Sequence, residues 1–225
     1  MKNALLGSTI VALLATTLVS PGAKAAELLT NGGFEDLAAA AAPGSYGTYA
    51  YPEGTIAGWT FFGAGLIDGT MATPWFGGSA PTGFAGAQYG FVQGTGWLVQ
   101  SFTADATGTL DISWLEGSRP DIFGGGYKGD QTYEVWLSSS LLGTFSTASG
   151  QNFVGRGLSA LVSGGQSYTL AFHGLSQSDN TAFVDNVSAS ITPTGGVPEP
   201  GTWTMMIAGF GMVGLGMRRR VLTTA

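Results

Sequence analysis

Cysteine is absent from the 225 residues, histidine occurs once, and Lys and Arg together number eight. Without cysteine there is no disulfide, no thiol nucleophile and no cysteine-ligated metal. A single histidine cannot supply the usual ligands of a zinc site. A Ser-His-Asp triad would need His173, but no Gly-x-Ser-x-Gly elbow accompanies it, and its place fits a partly exposed strand end. The few basic residues are also segregated. Lys2 and Lys24 open the chain and Arg218, Arg219 and Arg220 close it. Only Arg119, Lys128 and Arg156 stand against thirteen acids between Glu27 and Asp185, a formal charge of −10. That body repels phosphate backbones, so nucleic acid is excluded as a partner.

Large apolar side chains are plentiful. Six Trp and thirteen Phe accompany 38 Gly and a charged fraction of only 10%. Disordered chains lack this core material, so a turn-rich folded β protein is expected. Between Glu27 and Ile191 no helical period persists, and short alternating segments recur between Gly, Ser, Pro and Asp. They are Gly96–Ala104, Thr109–Leu115, Thr132–Leu137, Leu141–Phe145, Gln166–His173 and Thr181–Ile191. In the second, Leu110, Ile112 and Trp114 share a face; in the third, Tyr133, Val135 and Leu137 do. Each strand thus buries one face, which predicts an all-β sandwich over 26–191. The alanine run Ala38–Ala42 reads as one helical turn or a loop insertion, and Gly63–Gly78 as a long surface loop.

The two ends read as addresses. Residues 1–25 have Lys2, an apolar stretch from Ala4 to Val19 and an Ala23-Lys24-Ala25 cleavage site, the layout of a secretory signal peptide. Residues 192–196 form a linker, followed by Val197-Pro198-Glu199-Pro200 and an uncharged run over 202–217. As a helix that run spans about 24 Å, near the length of a membrane crossing. The three following arginines supply a cytoplasmic stop under the positive-inside rule.

Val197, Pro198, Glu199, Pro200, Trp203, the apolar run and the terminal arginines together resemble the PEP-CTERM sorting signal, in its PEPxxWA form. Thr204 stands where that form has alanine. The resemblance implies processing by an exosortase at the inner membrane of a Gram-negative bacterium that secretes exopolysaccharide. The protein would then reach the cell surface or extracellular matrix.

A second resemblance spans the body. Asn31-Gly32-Gly33-Phe34-Glu35, Gly58-Trp59, Gly117-Ser118-Arg119-Pro120 and the stretch Asp179–Val187 are similar to segments of galactose-binding-like jelly-roll domains. The resemblance implies adjacent first and last strands, with Glu35 and Asp185 helping to hold a structural calcium ion. Calcium takes six to eight oxygen ligands, of which two carboxylates are a part. The competing reading has both acids accepting backbone hydrogen bonds at turns.

Sugar binding needs flat exposed rings. Trp75, Phe76, Tyr127, Trp136 and the Tyr46–Tyr51 cluster lie on loops or on polar strand faces. Arg119 and Lys128, flanking the Gly-rich loop with Tyr127, suit sugar hydroxyls or acidic polysaccharide, or else pair with Asp121 and Asp130. Such rings also cover core rims, since Trp is rarely fully buried. Glycoside hydrolysis would need a carboxylate pair, for which Glu116, Asp121 and Glu134 are the candidates, read otherwise as solvated surface acids. The sequence therefore predicts an exported, non-enzymatic module that binds polysaccharide or serves structurally, with a small exopolysaccharide hydrolase as the alternative.

Overall fold

The structure is a computed structural model and describes residues 25–70, 80–121, 130–194 and 204–212. Two compact units divide the chain, one of them Ala25–Gly195. Its described strands are β1 (Tyr49–Ala50), β2 (Gly54–Ile56), β3 (Trp59–Asp68), β4 (Gln88–Thr103) and β5 (Gly108–Ser118). They continue with β6 (Thr132–Leu137), β7 (Ser140–Ser146), β8 (Val154–Val162), β9 (Ser167–Gly174) and β10 (Thr181–Pro193). The alanine run forms a single 3-10 turn, Ala39–Ala41.

Strand β4 organises the architecture. One of its edges pairs with β3 along most of its length. The other pairs first with β10, at Gly90–Gln93, and then with β9, at Trp97–Thr103. The partners diverge because β3 and β4 bend together at glycines. Gly63 and Gly94 take left-handed φ angles of 59° and 56°, and a Cβ on Gly96 would lie 2.1 Å from the Gly63 carbonyl oxygen. Side chains are excluded from such a crossing, so the glycines permit it. Two facing antiparallel sheets result. The first runs β2-β3-β4-β9-β6-β7 and the second β1-β3-β4-β10-β5-β8, with β3 and β4 shared. This is a jelly-roll β-sandwich.

The predicted alternation holds over Thr109–Leu115 and Thr132–Leu137, whereas Leu170–Phe172 of β9 and Thr181–Asp185 of β10 are buried on both faces. In β6 the burial alternates strictly, with Tyr133, Val135 and Leu137 inward. They meet Leu98, Phe102, Leu170 and Phe172 of their own sheet and Leu110, Ile112 and Trp114 of the other in one core. A smaller cluster of Ile67, Tyr89, Phe91, Phe153 and Phe183 packs beneath loops on the other face of β4 and β10.

Several boundaries differ from the sequence reading, among them the start of β4, at Gln88 and not Gly96. Strand β3 continues to Asp68, through what read as loop. Strand β8 went unread because Gly155 and Gly157 dilute the alternation of Leu158, Ala160 and Val162 on a largely exposed edge. Strand β10 runs to Pro193, and the Thr194 amide donates to the Thr107 carbonyl, so the sheet takes the first part of the expected linker.

In the other unit, residues 204–212 are helical, about 14 Å long at the α-helical rise. Met205, Ile207, Phe210 and Met212 on it are exposed. No helix among the described residues is long and apolar enough to cross a membrane. The remainder of the 202–217 run, the signal peptide through Lys24, and Arg218, Arg219 and Arg220 lie outside the described residues.

Candidate functional site

The outward face of the first sheet carries aromatic rings where solvent would favour polar groups. Register places Phe62, Trp97, His173 and Glu134 in one row across β3, β4, β9 and β6. The next row is Thr60, Val99, Ala171 and Trp136. Beyond it Ser101 and Thr169 hydrogen-bond at 2.9 Å, and the Thr169 amide donates to Ser138 Oγ at 3.2 Å. Trp97 and Trp136 therefore stand two strands apart over a floor of small side chains.

Between them lies a groove of about 450 Å³ lined by Trp97, Val99, Trp136, Ser138, Ser139, Thr169 and Ala171. Both rings are held in place. Trp97 stacks on His173 with centroids 3.7 Å apart and planes at 13°. Trp136 donates its indole N–H to Glu134 Oε2 at 2.8 Å, and that oxygen lies 3.6 Å from His173 Nδ1. Fixed rings beside short hydroxyl side chains form a surface suited to a flat, hydroxylated ligand. Period-2 reading had put Trp136 on this face. It missed Trp97, because strand register alone sets that ring beside its neighbours on β9 and β6.

Glu116, expected at the surface, is instead fully buried. It points into the core from β5, where Tyr133 Oη donates to Oε2 at 2.6 Å. Gln151 and Arg156 donate to Oε1 at 2.8 and 2.9 Å. Trp114 Nε1 donates to Tyr133 Oη at 2.9 Å, completing an internal network. Burial, then the Glu116 charge, push the Tyr133 hydroxyl well above the ordinary range. Because Tyr133 faces inward and Glu134 outward, Glu116 and Glu134 lie on opposite sides of the first sheet. Asp121 is exposed beyond the end of β5. These acids do not form a pair across one cleft.

Arg119, expected to contact sugar, is 2% exposed. Its guanidinium donates to the Asp179 carbonyl and pairs with the Asp179 carboxylate at 3.4 Å. That inward position removes it from the surface a glycan touches, and Asp179 is an acid it pairs with. Tyr46 is exposed and stacks on Tyr49 at 5.1 Å, while Tyr51 meets Phe91 edge-on. Trp75, Phe76, Tyr127, Val197, Pro198, Glu199, Pro200 and Trp203 lie outside the described residues.

Glu35 and Asp185 converge on the loop before β4. Glu35 Oε1 accepts the amides of Ala87 and Gln88 at 2.8 and 2.9 Å. Asp185 Oδ2 accepts the Ala85 amide and Oδ1 the Asn186 amide, both at 2.6 Å. A bulge in the β10–β5 pairing between Asp185 and Ser188, with Asn186 at φ 47°, gives β10 the local bend found beside Asp185. Burial, with a smaller contribution from Glu35, pushes the Asp185 carboxyl up to about 6 despite the two amides. The first and last segments do run side by side: Leu28 and Ala189, and Gly32 and Val187, share backbone hydrogen bonds. The donors are oxygens, as calcium requires, but two carboxylates are a partial shell. Among the described residues no three His, Asp or Glu side chains gather as a metal-binding group.

Residues 196–220 match the PEP-CTERM protein-sorting motif. No curated protein matches the chain. Solved structures similar to it include a family 35 carbohydrate binding module from Clostridium thermocellum, at 11% identity and TM-score 0.42, covering 60% of this chain and 92% of that one. TmCBM61, solved with beta-1,4-galactotriose, has 11% identity and TM-score 0.48, covering 74% of this chain and 99% of that one. The K1 cleaved adhesin domain of Lys-gingipain from Porphyromonas gingivalis W83 has 11% identity and TM-score 0.43, covering 61% and 93%. The chain is a jelly-roll β-sandwich that carries a PEP-CTERM protein-sorting motif near its C-terminus.

Proposed function

We propose that this protein is an exported polysaccharide-binding module of the bacterial cell envelope or extracellular matrix, with the Trp97–Trp136 groove as its binding face. The carrying observation is that two tryptophans on a solvent-facing sheet are locked by polar neighbours over a floor of small residues. Rings held in advance lose little freedom on binding, and pyranose C–H faces pack on them. The reading rests on the groove and not on the distant likeness to carbohydrate binding modules. Separation of Glu116 from Glu134 favours binding over hydrolysis, since glycoside cleavage needs two carboxylates flanking one bond.

Delivery belongs to the same reading. Residues 1–25 act as a signal peptide, and an exosortase processes the sorting motif while the apolar run anchors the precursor in the inner membrane of a Gram-negative cell. A structural calcium at Glu35 and Asp185 would tie the first and last segments to the loop before β4, with carbonyl or water oxygens completing the shell. Glu35 suits the test, because Glu35→Gln keeps the oxygen that accepts both loop amides. Calcium is expected to raise the melting temperature of the wild type over a chelated sample and to have no effect on Glu35→Gln.

Binding is tested by pull-down of the full chain on the producing organism's exopolysaccharide and on a glycan array. Trp97→Ala and Trp136→Ala should each weaken binding by roughly thirty-fold, the effect of losing a central aromatic anchor. Both should melt within a few degrees of wild type, because neither ring lies in the core. Undiminished glycan binding by both variants would move the site elsewhere, and no binding to any glycan would end the reading.

A further inference from the structure

The groove has a fixed acid at its rim and, among the described residues, no cation in its lining. Glu134 is 19% exposed at its side chain and is tethered through Oε2 to the Trp136 indole. The facing His173 Nδ1 is buried, so it is not offered to a ligand. Glu134 Oε1 accepts no hydrogen bond among the described residues and remains for an incoming donor. The described arginines are engaged elsewhere: Arg119 with Asp179, and Arg156 with Glu116 from the second sheet. Around the groove the body as a whole is strongly acidic.

Resting on the reading that this groove binds glycan, we propose that Glu134 sets its ligand class, admitting uncharged polysaccharide and turning away chains of uronic acids. The same carboxylate acts in both directions. A sugar hydroxyl donating to Oε1 makes a charge-assisted hydrogen bond, stronger than a neutral one. A ligand carboxylate at the same place meets a like charge a few ångströms away in a half-desolvated groove. At an effective dielectric between that of water and of a protein surface, this repulsion amounts to roughly ten-fold in affinity. Freedom to swing clear would erase the effect, and the indole tether removes that freedom.

The test is isothermal titration of the full chain with neutral glucan, galactan and mannan oligosaccharides and, as acidic probes, alginate and polygalacturonate fragments. Wild type should bind at least one neutral probe, and each acidic probe at least ten-fold more weakly. Glu134→Gln retains a carbonyl oxygen to accept the Trp136 N–H, and should narrow that gap by about five-fold or more. The gap should also shrink for the wild type on raising the salt from 0.15 M to 1 M, since screening weakens the repulsion from Glu134 and from the acidic body alike. Acidic probes bound as tightly as neutral ones, or a ratio unmoved by Glu134→Gln, would overturn the role of Glu134 and leave the groove a glycan site. Failure of every probe to bind would overturn the glycan reading itself.

Discussion

Glu116 and Glu134 are acids near aromatic rings, yet their surroundings give them opposite work. Glu116 is enclosed, and its two oxygens satisfy Tyr133, Gln151 and Arg156 inside the sandwich. Removing it leaves the buried Tyr133 phenol and the part-buried Gln151 amide without their acceptor. Glu116→Ala is therefore expected to cost about 3 kcal/mol, read as a lower midpoint in urea unfolding. Glu134 sits outside, where its removal disturbs one indole and one imidazole. Its substitution should change ligand choice and leave the unfolding midpoint nearly unmoved. Which acid is buried could not be read from spacing alone. Glu116 shares the period-2 face of Leu110, Ile112 and Trp114, but burying a carboxylate there requires donors from β6, β8 and the Gln151 turn. Those partners are 17 to 40 residues away.

At the level of elements, the segment Asn31–Glu35 works as a clasp. Asn31 takes a left-handed φ of 50°, donates its side-chain amide to the Ala57 carbonyl at 3.1 Å and accepts the Trp59 indole N–H on its own carbonyl at 3.0 Å. Phe34 then packs against Trp59 with ring centroids 5.1 Å apart. Gly32 lets the segment run against β10, because a Cβ there would fall 1.9 Å from the Val187 carbonyl oxygen. Gly32→Ala should therefore destabilise the sandwich by about 3 kcal/mol, as overpacking against backbone does. Gly155→Ala on β8, whose Cβ would meet nothing within 4 Å, should stay within about 0.5 kcal/mol of wild type. Equal effects of the two substitutions on thermal unfolding would contradict this account of the clasp. The fragments Asn31–Glu35 and Gly58-Trp59, linked in sequence only by resemblance, turn out to be one hydrogen-bonded and packed unit.

On the scale of the whole molecule, charge is sorted along the chain. The acidic body lies between termini that hold five of the eight basic residues. Under the proposed delivery, the apolar run followed by Arg218, Arg219 and Arg220 would insert with the arginines on the cytoplasmic side. Pro198 and Pro200 lack amide hydrogens, and a proline biases the residue before it towards an extended form, which would suit the proposed processing enzyme. Replacing Pro198 and Glu199 together by alanine should make the larger precursor accumulate in the inner-membrane fraction, seen by immunoblot against the body. Normal release of the shorter form would separate processing from these residues.

Much of this was legible in the linear chain because it depends on local physics. Alternation over Thr109–Leu115 and Thr132–Leu137 specifies which face is buried, since a strand has only two. The sorting motif and its apolar run are contiguous, so no folding is needed to read them. The groove is different in kind. Trp97, Trp136, Glu134 and His173 come from three strands, and only the β4–β9–β6 register brings them into neighbouring rows. That register depends on the Gly63, Gly94 and Gly96 bend, which turns β4 from β10 to β9 and so decides which side chains become neighbours. The sequence alone determined the β-sandwich and its sorting motif; tertiary pairing decided where the proposed binding groove lies, because contact between distant residues exists only once strands choose partners.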